Sequence, residues 1–346
     1  MTAAVTFENV SIVFGDDPAT ALPHMDSGLS RAEVQAACGQ VPGVHDCSLQ
    51  VQTGEILVLM GLSGSGKSTL LRAVNGLNPL VRGDVRITTA NGTQSVTRAD
   101  ARTLRDLRLH DVAMVFQQFG LLPWRSVRDN VGLGLELARQ SAKQRRARVE
   151  EELALVGLSD RADALVGELS GGMQQRVGLA RAFATDAPIL LMDEPFSALD
   201  PLIRTRLQDE LLNLQARRGR TIVFVSHDLD EAFKLGNRIA IMEGGRIVQT
   251  GTPREIFARP ANGYVADFVA HMNPLGVLCA RDVMGPGAGN GAAVDAETPV
   301  QRIIDRITTD GPLTVTADGQ PIGQITAQSL LDRLAARHRP QATTAP

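Results

Sequence analysis

Residues 61–68 read Gly-Leu-Ser-Gly-Ser-Gly-Lys-Ser and directly follow the apolar run Ile56–Met60. A buried strand that leads into a glycine-rich turn, a lysine and a hydroxyl is typical of a phosphate-binding loop, because its backbone N–H groups can wrap around phosphates. Lys67 would add positive charge at the outer phosphates, and Ser68 would offer its hydroxyl to Mg²⁺. The alternative is a flexible Gly/Ser loop that happens to contain a lysine. The pattern predicts a nucleoside triphosphate site built from Gly61, Leu62, Ser63, Gly64, Ser65, Gly66, Lys67, Ser68 and Thr69.

The bulk composition is that of an ordinary globular protein. Hydrophobic residues make up 43% of the chain and charged residues 21%. The length of 346 residues allows one large domain and a smaller one. The net charge of -3 gives no basic footprint for a nucleic acid, so no nucleic-acid partner is expected. No apolar run approaches the length that spans a bilayer, and residues 1–13 lack the features of a signal peptide. Three cysteines without metal-ligand spacing predict reduced cytosolic thiols, with a redox switch as the alternative.

Short strands alternate with helices along most of the chain. Residues 5–14 alternate like an edge strand, and Ser30 with Glu33 forms a capping box for a helix over 30–37. Further helices are predicted over 69–76 and within 126–184. Strands are predicted at 47–51, 84–87, 112–116, 188–192 and 221–225. The last two are short and aliphatic, as are strands of a parallel sheet covered on both faces. The expected fold class is therefore a doubly wound α/β domain.

A second motif is an adjacent pair of carboxylates, Asp193 and Glu194, at the end of the apolar run 188–192. Ligands collect at the carboxyl edge of a parallel sheet, so this pair should lie beside the phosphate loop. Asp193 would hold Mg²⁺, partly through water, and Glu194 would polarise the attacking water as a general base. The alternative is an Asp-Glu pair that only opens a turn before Pro195.

A third motif places Ser170, Gly171 and Gly172 before a predicted helix over 173–183. Free backbone N–H groups and the positive end of the helix would form a second site for an anion. A Ser-Gly-Gly turn that merely starts a helix is an equally open interpretation of these residues alone.

Taken in order, the three motifs resemble those of the ATP-binding subunit of ABC transporters, over residues 5 to about 270. The resemblance implies a P-loop NTPase fold of the ABC-type ATPase, with a RecA-like core and a helical subdomain, and ATP with Mg²⁺ as cofactors. Met173 departs from the commonest residue of the family signature. Phe14 is the candidate for the aromatic ring that stacks on adenine, with a Phe that faces the core as the alternative.

The resemblance also assigns roles to three residues outside the phosphate loop. Gln117 matches the glutamine that touches Mg²⁺ and water, and His227 matches the histidine that contacts the γ-phosphate. With Glu194 these form the expected catalytic set. Asp200, at the end of Ser197-Ala-Leu-Asp, matches the loop that crosses the dimer interface.

The resemblance further implies partners and a location. Two chains would pair head to tail, so that ATP lies between the phosphate loop of one chain and Ser170, Gly171 and Gly172 of the other. The dimer would work with integral membrane permease subunits and a periplasmic or extracellular substrate-binding protein. It would be held peripherally at the cytoplasmic face of the inner membrane.

Several longer blocks resemble the glycine betaine/choline uptake branch of this family, including residues 200–211 and 226–232. Within that branch, residues 118–125 and 269–275 look closest to choline transport ATPases. The expected cargo is therefore choline or a related compatible solute, such as glycine betaine or proline. The alternatives are the ATPase of an amino-acid or other small-solute importer and, less favoured, a soluble ABC ATPase outside transport.

The composition changes after about residue 273. We predict an ATPase domain over 1–273, a small α+β unit over 274–336 and a disordered tail over 337–346. The small unit resembles a single degenerate CBS-type module, which would act in regulation or stabilise a dimer. Residues 285–293 are predicted to be a loop or linker.

Overall fold

The computed structural model describes residues 2–90, 92–270, 275, 277–287 and 291–335, with side chains up to residue 332. These residues form two compact units. The first contains residues up to 227 together with 235–250, and the second contains 228–234 and the residues from 251 onward. The second unit thus includes residues 251–270, which the sequence pattern groups with the ATPase domain. The domain boundary expected at 273 falls outside the described residues and stays a prediction.

The elements of the first unit alternate as the sequence predicts. Its strands are β1 Ala3–Phe14, β2 Val41–Gln52, β3 Ile56–Met60, β4 Arg82–Thr89, β5 Gly92–Ser95, β6 Val112–Val115, β7 Ile189–Asp193, β8 Thr221–Val225, β9 Arg238–Glu243 and β10 Arg246–Gly251. Its helices are α1 Leu22–Asp26, α2 Arg31–Cys38, α3 Lys67–Ala73, α4 Ala101–His110, α5 Val127–Val131, α6 Leu133–Leu137, α7 Ala142–Leu155, α8 Gly171–Ala184 and α9 Pro201–Arg218.

A six-stranded sheet in the order β10-β9-β3-β8-β7-β6 positions the functional motifs. The pairs from β9 through β6 are parallel, and every residue of β3, β7 and β8 is buried. Aliphatic side chains on both faces of these strands explain that burial, because a parallel sheet is covered on both sides. The carboxyl ends of β3, β7 and β8 meet at one edge of the sheet. This confirms the predicted α/β core.

A second, antiparallel sheet corrects the expectation for residues 5–14. Its order is β2-β1-β4-β5, so β1 is a central strand and not an edge strand. The alternating pattern of β1 shows that one face is buried, but it carries no information about how many neighbours the strand has. One of those neighbours, β2, begins at Val41 and is longer than the predicted strand at 47–51.

A single apolar core joins the two sheets to the helix after the phosphate loop. It includes Phe7 and Val85 from the antiparallel sheet, Leu57 and Val223 from the parallel sheet, and Leu70 from α3. Because α3 packs into this core, the end of the phosphate loop that joins α3 is held in place.

Residues 15–40 form an inserted segment between β1 and β2. Its helix α2 has the predicted capping box, in which Ser30 and Glu33 cap each other, and it ends at Gly39 in the left-handed conformation. Val34 of α2 packs with Val13, Ala21 and Met25 in a small separate cluster. The inserted segment is therefore anchored to the end of β1.

The second unit has a three-stranded sheet and short helices. Its helices are α10 Leu229–Leu235, α11 Pro253–Ala258, α12 Gly263–Val269, α13 Ala280–Val283, α14 Val300–Asp310 and α15 Ala327–Ala335, and its strands are β11 Ala293–Asp295, β12 Leu313–Ala317 and β13 Gln320–Ile325 in the order β11-β12-β13. The described residues of this unit combine helices with strands. The loop predicted over 285–293 is wrong at its ends, because Gly285 bridges Gln324 and Ala293 starts β11. The predicted disordered tail lies outside the described residues.

Among the helices described, none is both long and apolar enough to cross a membrane.

Candidate active site

The phosphate loop connects β3 to α3, as predicted, and its shape requires glycine. Gly61 has φ +141°, and a Cβ there would lie 2.1 Å from the carbonyl oxygen of Met242. Gly66 has φ +99°, and a Cβ there would lie 2.7 Å from the carbonyl oxygen of Gly43. L-amino acids with side chains rarely adopt these backbone angles, so larger residues would distort the loop.

Lys67 is folded back over the loop that precedes it. Its Nζ donates hydrogen bonds to the carbonyl oxygens of Gly61 at 2.8 Å and Leu62 at 3.0 Å. Burial lowers the pKa of Lys67, while the nearby carboxylates of Glu194 and Asp193 act in the opposite direction. Because its direct partners are neutral carbonyls, the ammonium charge remains available to an anionic ligand.

The loop opens onto a cavity of about 600 Å³. The residues around it are Phe14, Arg31, Val41, Pro42, Gly43, Ser63, Gly64, Gly66, Lys67, Ser68, Thr69, Gln117, Glu194 and His227. The structure thus brings most of the predicted loop together with Phe14 and the three residues expected to be catalytic. Gly61, Leu62 and Ser65 are predicted loop residues outside this lining. The first two hold Lys67, and the buried Ser65 accepts a hydrogen bond from the backbone of Gly245.

Asp193 is fully buried behind Ser68 rather than open to the cavity. Its Oδ1 accepts a hydrogen bond from Ser68 Oγ at 2.6 Å, and its Oδ2 accepts one from Arg72 at 2.9 Å. Arg72 comes from α3, and no sequence motif predicts its partnership with Asp193. Since Ser68 donates its proton to Asp193, its remaining lone pairs point away from that carboxylate and are free to bind a cation.

The described residues fit a magnesium ion that is held mostly by phosphate. No group of three His, Cys, Asp or Glu side chains in that part of the chain is placed to hold a metal by itself. Mg²⁺ at nucleotide sites usually keeps several waters and takes only one or two protein oxygens besides the phosphates. Ser68, supported by Asp193, and Gln117 are oxygen donors of this kind.

Two side chains from different strand ends converge on one oxygen of Glu194. Gln117 Nε2 donates a hydrogen bond to Glu194 Oε2 at 3.2 Å, and His227 Nδ1 lies 3.3 Å from the same atom. Gln117 follows β6, Glu194 follows β7 and His227 follows β8. The parallel sheet therefore explains why three residues that are far apart in sequence meet at one point.

The backbone of Glu194 is held in an unusual conformation. Its φ is +48°, and its N–H donates to the carbonyl oxygen of Val225 at 3.1 Å. Its own carbonyl accepts hydrogen bonds from Gln175 Nε2 and Ser197 Oγ, each at 3.0 Å. Gln175 is buried, and its Oε1 also accepts from the N–H of Ala198 at 2.8 Å. Sequence reasoning missed Gln175, because nothing in the pattern of α8 links it to β7.

Phe14 also lines the cavity and is 42% exposed. A Cβ on Gly43 would lie 2.9 Å from the Phe14 ring and 3.1 Å from the methyl group of Thr69. The alternative of a Phe buried in the core is therefore wrong, and the ring is accessible from the cavity.

The signature residues lie elsewhere in the same chain. Ser170 caps α8 by accepting a hydrogen bond from the N–H of Met173, and a Cβ on Gly172 would lie 3.0 Å from the carbonyl oxygen of Ala198. Asp200 caps α9 by accepting from the N–H of Ile203 at 3.0 Å. None of the residues Ser170, Gly171, Gly172 and Asp200 is part of the cavity lining. Within one chain, these signature residues therefore do not contribute to the cavity that the phosphate loop lines.

Comparison with known proteins agrees with this geometry. Residues 44–197 match the ABC transporter family. The chain is 49% identical over 283 residues to the ATP-binding protein of the glycine betaine/proline betaine transport system of Salmonella typhimurium, which covers 82% of this chain and 70% of that protein. This chain belongs to the ABC transporter ATP-binding proteins.

Two further likenesses support the assignment of this ABC ATPase. It is 44% identical over 333 residues to the ATP-binding protein of the trimethylamine N-oxide transport system of Ruegeria pomeroyi, which covers 95% of this chain and 96% of that protein. The structure of a dimeric bacterial ABC transporter cassette matches with a TM-score of 0.62 and 30% identity, over 72% of this chain and 99% of that one. The chain is therefore an ATP-binding, ATP-hydrolysing subunit of a transport system.

Proposed function

We propose that this ABC ATPase drives an importer for a quaternary amine or related compatible solute, with choline, glycine betaine and proline as the first cargoes to test. The observation that carries the ATPase part is the meeting of Gln117 and His227 on Glu194 Oε2, in a cavity that the phosphate loop also lines. In this proposal, the carboxylate and the two groups that orient it would lie next to the outer phosphate of a bound nucleotide.

The nucleotide would bind along the cavity with its phosphates on the loop and its base near Phe14. The backbone of residues 61–66, the ammonium of Lys67 and the start of α3 supply positive charge for the phosphates. Thr69 and Gly43 lie close to the exposed Phe14 ring, where an adenine could stack.

The magnesium site would use Ser68 and Gln117 directly. Asp193 would act from behind Ser68, because it is fully buried and holds the Ser68 hydroxyl proton. When bound, Mg²⁺ neutralises charge that develops on the transferred phosphate. Arg72 would keep Asp193 ionised and oriented through their hydrogen bond.

Glu194 would act as the general base toward the attacking water. Its second carboxylate oxygen is held by Gln117 and His227, and its backbone is held by Gln175 and Val225. A base fixed on both its main chain and its side chain loses little entropy when the water is positioned. His227, which is largely exposed, would also contact the γ-phosphate.

A head-to-tail dimer would complete the site. Ser170, Gly171 and Gly172 offer backbone N–H groups at the start of α8, yet the cavity of the same chain does not include them. A second copy would bring them over the phosphates, and Asp200 would lie at the contact between copies. The likeness to a dimeric cassette supports this arrangement.

The cargo would be recognised outside this chain. A quaternary ammonium group is usually held in a cage of aromatic rings, and this sequence has one Trp and one Tyr, at positions 124 and 264. We therefore place cargo selection in a separate binding protein and in membrane permease subunits, with the ATPase held peripherally at the cytoplasmic face of the membrane. The names of the two transport relatives described above support the cargo class.

Uptake of labelled choline, glycine betaine and proline tests this proposal, in cells that carry the whole operon with either wild-type ATPase or Glu194→Gln. Loss of uptake of one of these solutes in the variant supports both the ATPase role of this chain and the proposed cargo class. Unchanged uptake of all three would refute the proposed cargo class. The ATPase activity of the same purified variant then shows whether Glu194 is still supported as the general base.

A further inference from the structure

The inserted segment reaches the phosphate loop through one side chain, that of Arg31. Arg31 is the first residue of α2. Its Nη1 donates a hydrogen bond to the carbonyl oxygen of Gly64 in the phosphate loop, and its Nη2 donates one to the carbonyl oxygen of Gly43 in β2. One guanidinium therefore joins the loop to β2, whose first residues also line the cavity.

The surroundings of Arg31 leave room for this guanidinium and little else. A Cβ on Gly245 would lie 2.8 Å from its Nη2, and a Cβ on Gly66 would lie 3.4 Å from it. A side chain at position 245 or 66 would therefore crowd the Arg31 guanidinium, and both positions are glycine. Arg31 also belongs to the lining of the cavity, together with Lys67.

Among the residues that the structure describes, no acidic side chain forms an ion pair with Arg31. Within the described part of the chain its hydrogen-bond acceptors are the two carbonyls of Gly43 and Gly64. Burial lowers the pKa of Arg31, but an arginine stays charged in proteins at neutral pH. A full positive charge thus lies beside the loop that receives the phosphates.

The position of Arg31 is fixed by its own helix. The capping box of Ser30 and Glu33 lies on either side of it, and Val34, one turn further along α2, is fully buried in the small cluster with Val13 and Met25. A change in the packing of α2 would therefore move the guanidinium relative to the loop.

We propose that Arg31 is a positioning residue of the ATPase, through which the inserted segment holds the phosphate loop in its nucleotide-binding shape and adds positive charge beside the triphosphate. This inference rests on the proposed nucleotide site. It assigns to residues 15–40 a role in nucleotide affinity, and it predicts that this role acts on binding and hardly at all on the chemical step.

The test compares ATP binding and steady-state hydrolysis in full-length variants. Arg31→Ala should raise the Kd and KM for ATP about tenfold, because a charged hydrogen-bond donor is lost from the loop. Its kcat at saturating ATP should stay within about twofold of wild type, since Glu194 and its partners are untouched. Arg31→Lys should recover only part of the affinity, because one ammonium cannot span two carbonyls as a planar guanidinium does.

Two control variants distinguish a failure of the inference about Arg31 from a failure of the proposed nucleotide site. Gln35→Ala changes an exposed residue of the same helix and should bind ATP like wild type. Lys67→Ala should abolish binding; if it does not, the proposed nucleotide site itself is wrong. If Lys67→Ala fails to bind but Arg31→Ala has the wild-type Kd, or loses kcat with an unchanged KM, only the inference about Arg31 is overturned.

A double-mutant cycle guards against a merely destabilised Arg31 variant. Val34→Ala should shift α2 and weaken ATP binding through Arg31, so combining it with Arg31→Ala should cause less loss than the sum of the two single effects. Additive losses would show that the two residues act independently and would contradict the proposal.

Discussion

His227 and Glu194 lie on neighbouring strand ends, and Nδ1 of the histidine is 3.3 Å from Oε2 of the glutamate. Gln117 donates to the same oxygen from a third strand end. Among the described residues, both of these side chains contact Oε2, so we expect the other carboxylate oxygen, Oε1, to face the attacking water. The parallel sheet thus brings together three residues that are up to 110 positions apart in the sequence.

The first prediction concerns His227. His227→Ala should lower kcat roughly tenfold or more, because Glu194 loses one of two side-chain contacts that orient it. The Kd for ATP should change much less, since the phosphate loop and Lys67 are unaffected. Steady-state ATPase assays with separate binding measurements check both numbers.

The control for this variant is His110→Ala, at an exposed residue at the end of α4. Both kinetic constants of the control should match wild type. A His227→Ala protein with normal kcat would show that the contact with Glu194 has no part in turnover.

The second prediction concerns Gln175, which sequence reasoning missed. Gln175→Leu removes the buried partner of the Glu194 carbonyl and of the Ala198 N–H. Leaving buried polar groups unpaired should lower the free energy of unfolding by about 2 kcal/mol, and kcat should fall because Glu194 is held less firmly. Thermal unfolding and ATPase assays measure these effects. Gln144→Ala, at an exposed position of α7, should change neither; an equally small change in Gln175→Leu would remove its assigned role.

The third prediction concerns thiol reactivity. Burial raises the pKa of Cys47 and Cys279 to about 11, with the Asp282 carboxylate adding to the effect at Cys279. At pH 8 only about one in a thousand of these groups is a reactive thiolate. Cys38, which is half-buried on α2, should therefore be alkylated first in the folded protein.

Mass spectrometry after a short treatment with iodoacetamide identifies the labelled cysteine. Cys38→Ser should abolish rapid labelling, and denaturant should make all three residues reactive. Equal labelling rates for Cys47 and Cys38 in the folded protein would contradict the burial described for these thiols.

The fourth prediction concerns pH and the anchor of the inserted segment. Asp26 accepts two hydrogen bonds from Arg82 and lies 2.9 Å from His45 Nε2, and these partners hold its pKa well below the ordinary value of 3.8. A carboxylate with a lowered folded-state pKa stabilises the fold above its unfolded pKa and loses that contribution as the pH falls further.

Wild type should therefore have a higher Tm than Asp26→Asn at pH 6, and the difference should shrink steadily below pH 3.8. Because Asp26 is partly exposed, high salt should also reduce the difference. Thermal unfolding of both proteins across this pH range, at low and high ionic strength, measures it. A difference in Tm that grows toward acid pH would have the wrong sign for this ion pair.

Local patterns in the sequence were enough to predict the parallel core and the phosphate loop. An apolar run, a glycine-rich turn and a helix are adjacent along the chain, and strands at 188–192 and 221–225 carry the same signal. Glu194 could be placed beside the phosphate loop because it follows a strand of the same parallel sheet, whose carboxyl ends share an edge. Gln117 and His227 were predicted from the resemblance to the ABC family.

The rest of the site depends on contacts that no local pattern encodes. Arg31, Arg72 and Gln175 contact partners that are distant in the sequence. From the sequence alone, an arginine or glutamine on a helix cannot be distinguished from an ordinary surface residue. The central position of β1 was missed for the same reason, because its alternation reports a buried face and not the strands beside it.

The measurement that tests the central claim most directly is ATP hydrolysis by the full-length Glu194→Gln variant, together with its oligomeric state in ATP. Removal of the general base should lower kcat by about 100-fold or more, while the intact phosphate loop still binds ATP. The variant should then accumulate as an ATP-bound dimer. Hydrolysis within about twofold of wild type would show that Glu194 is not the base.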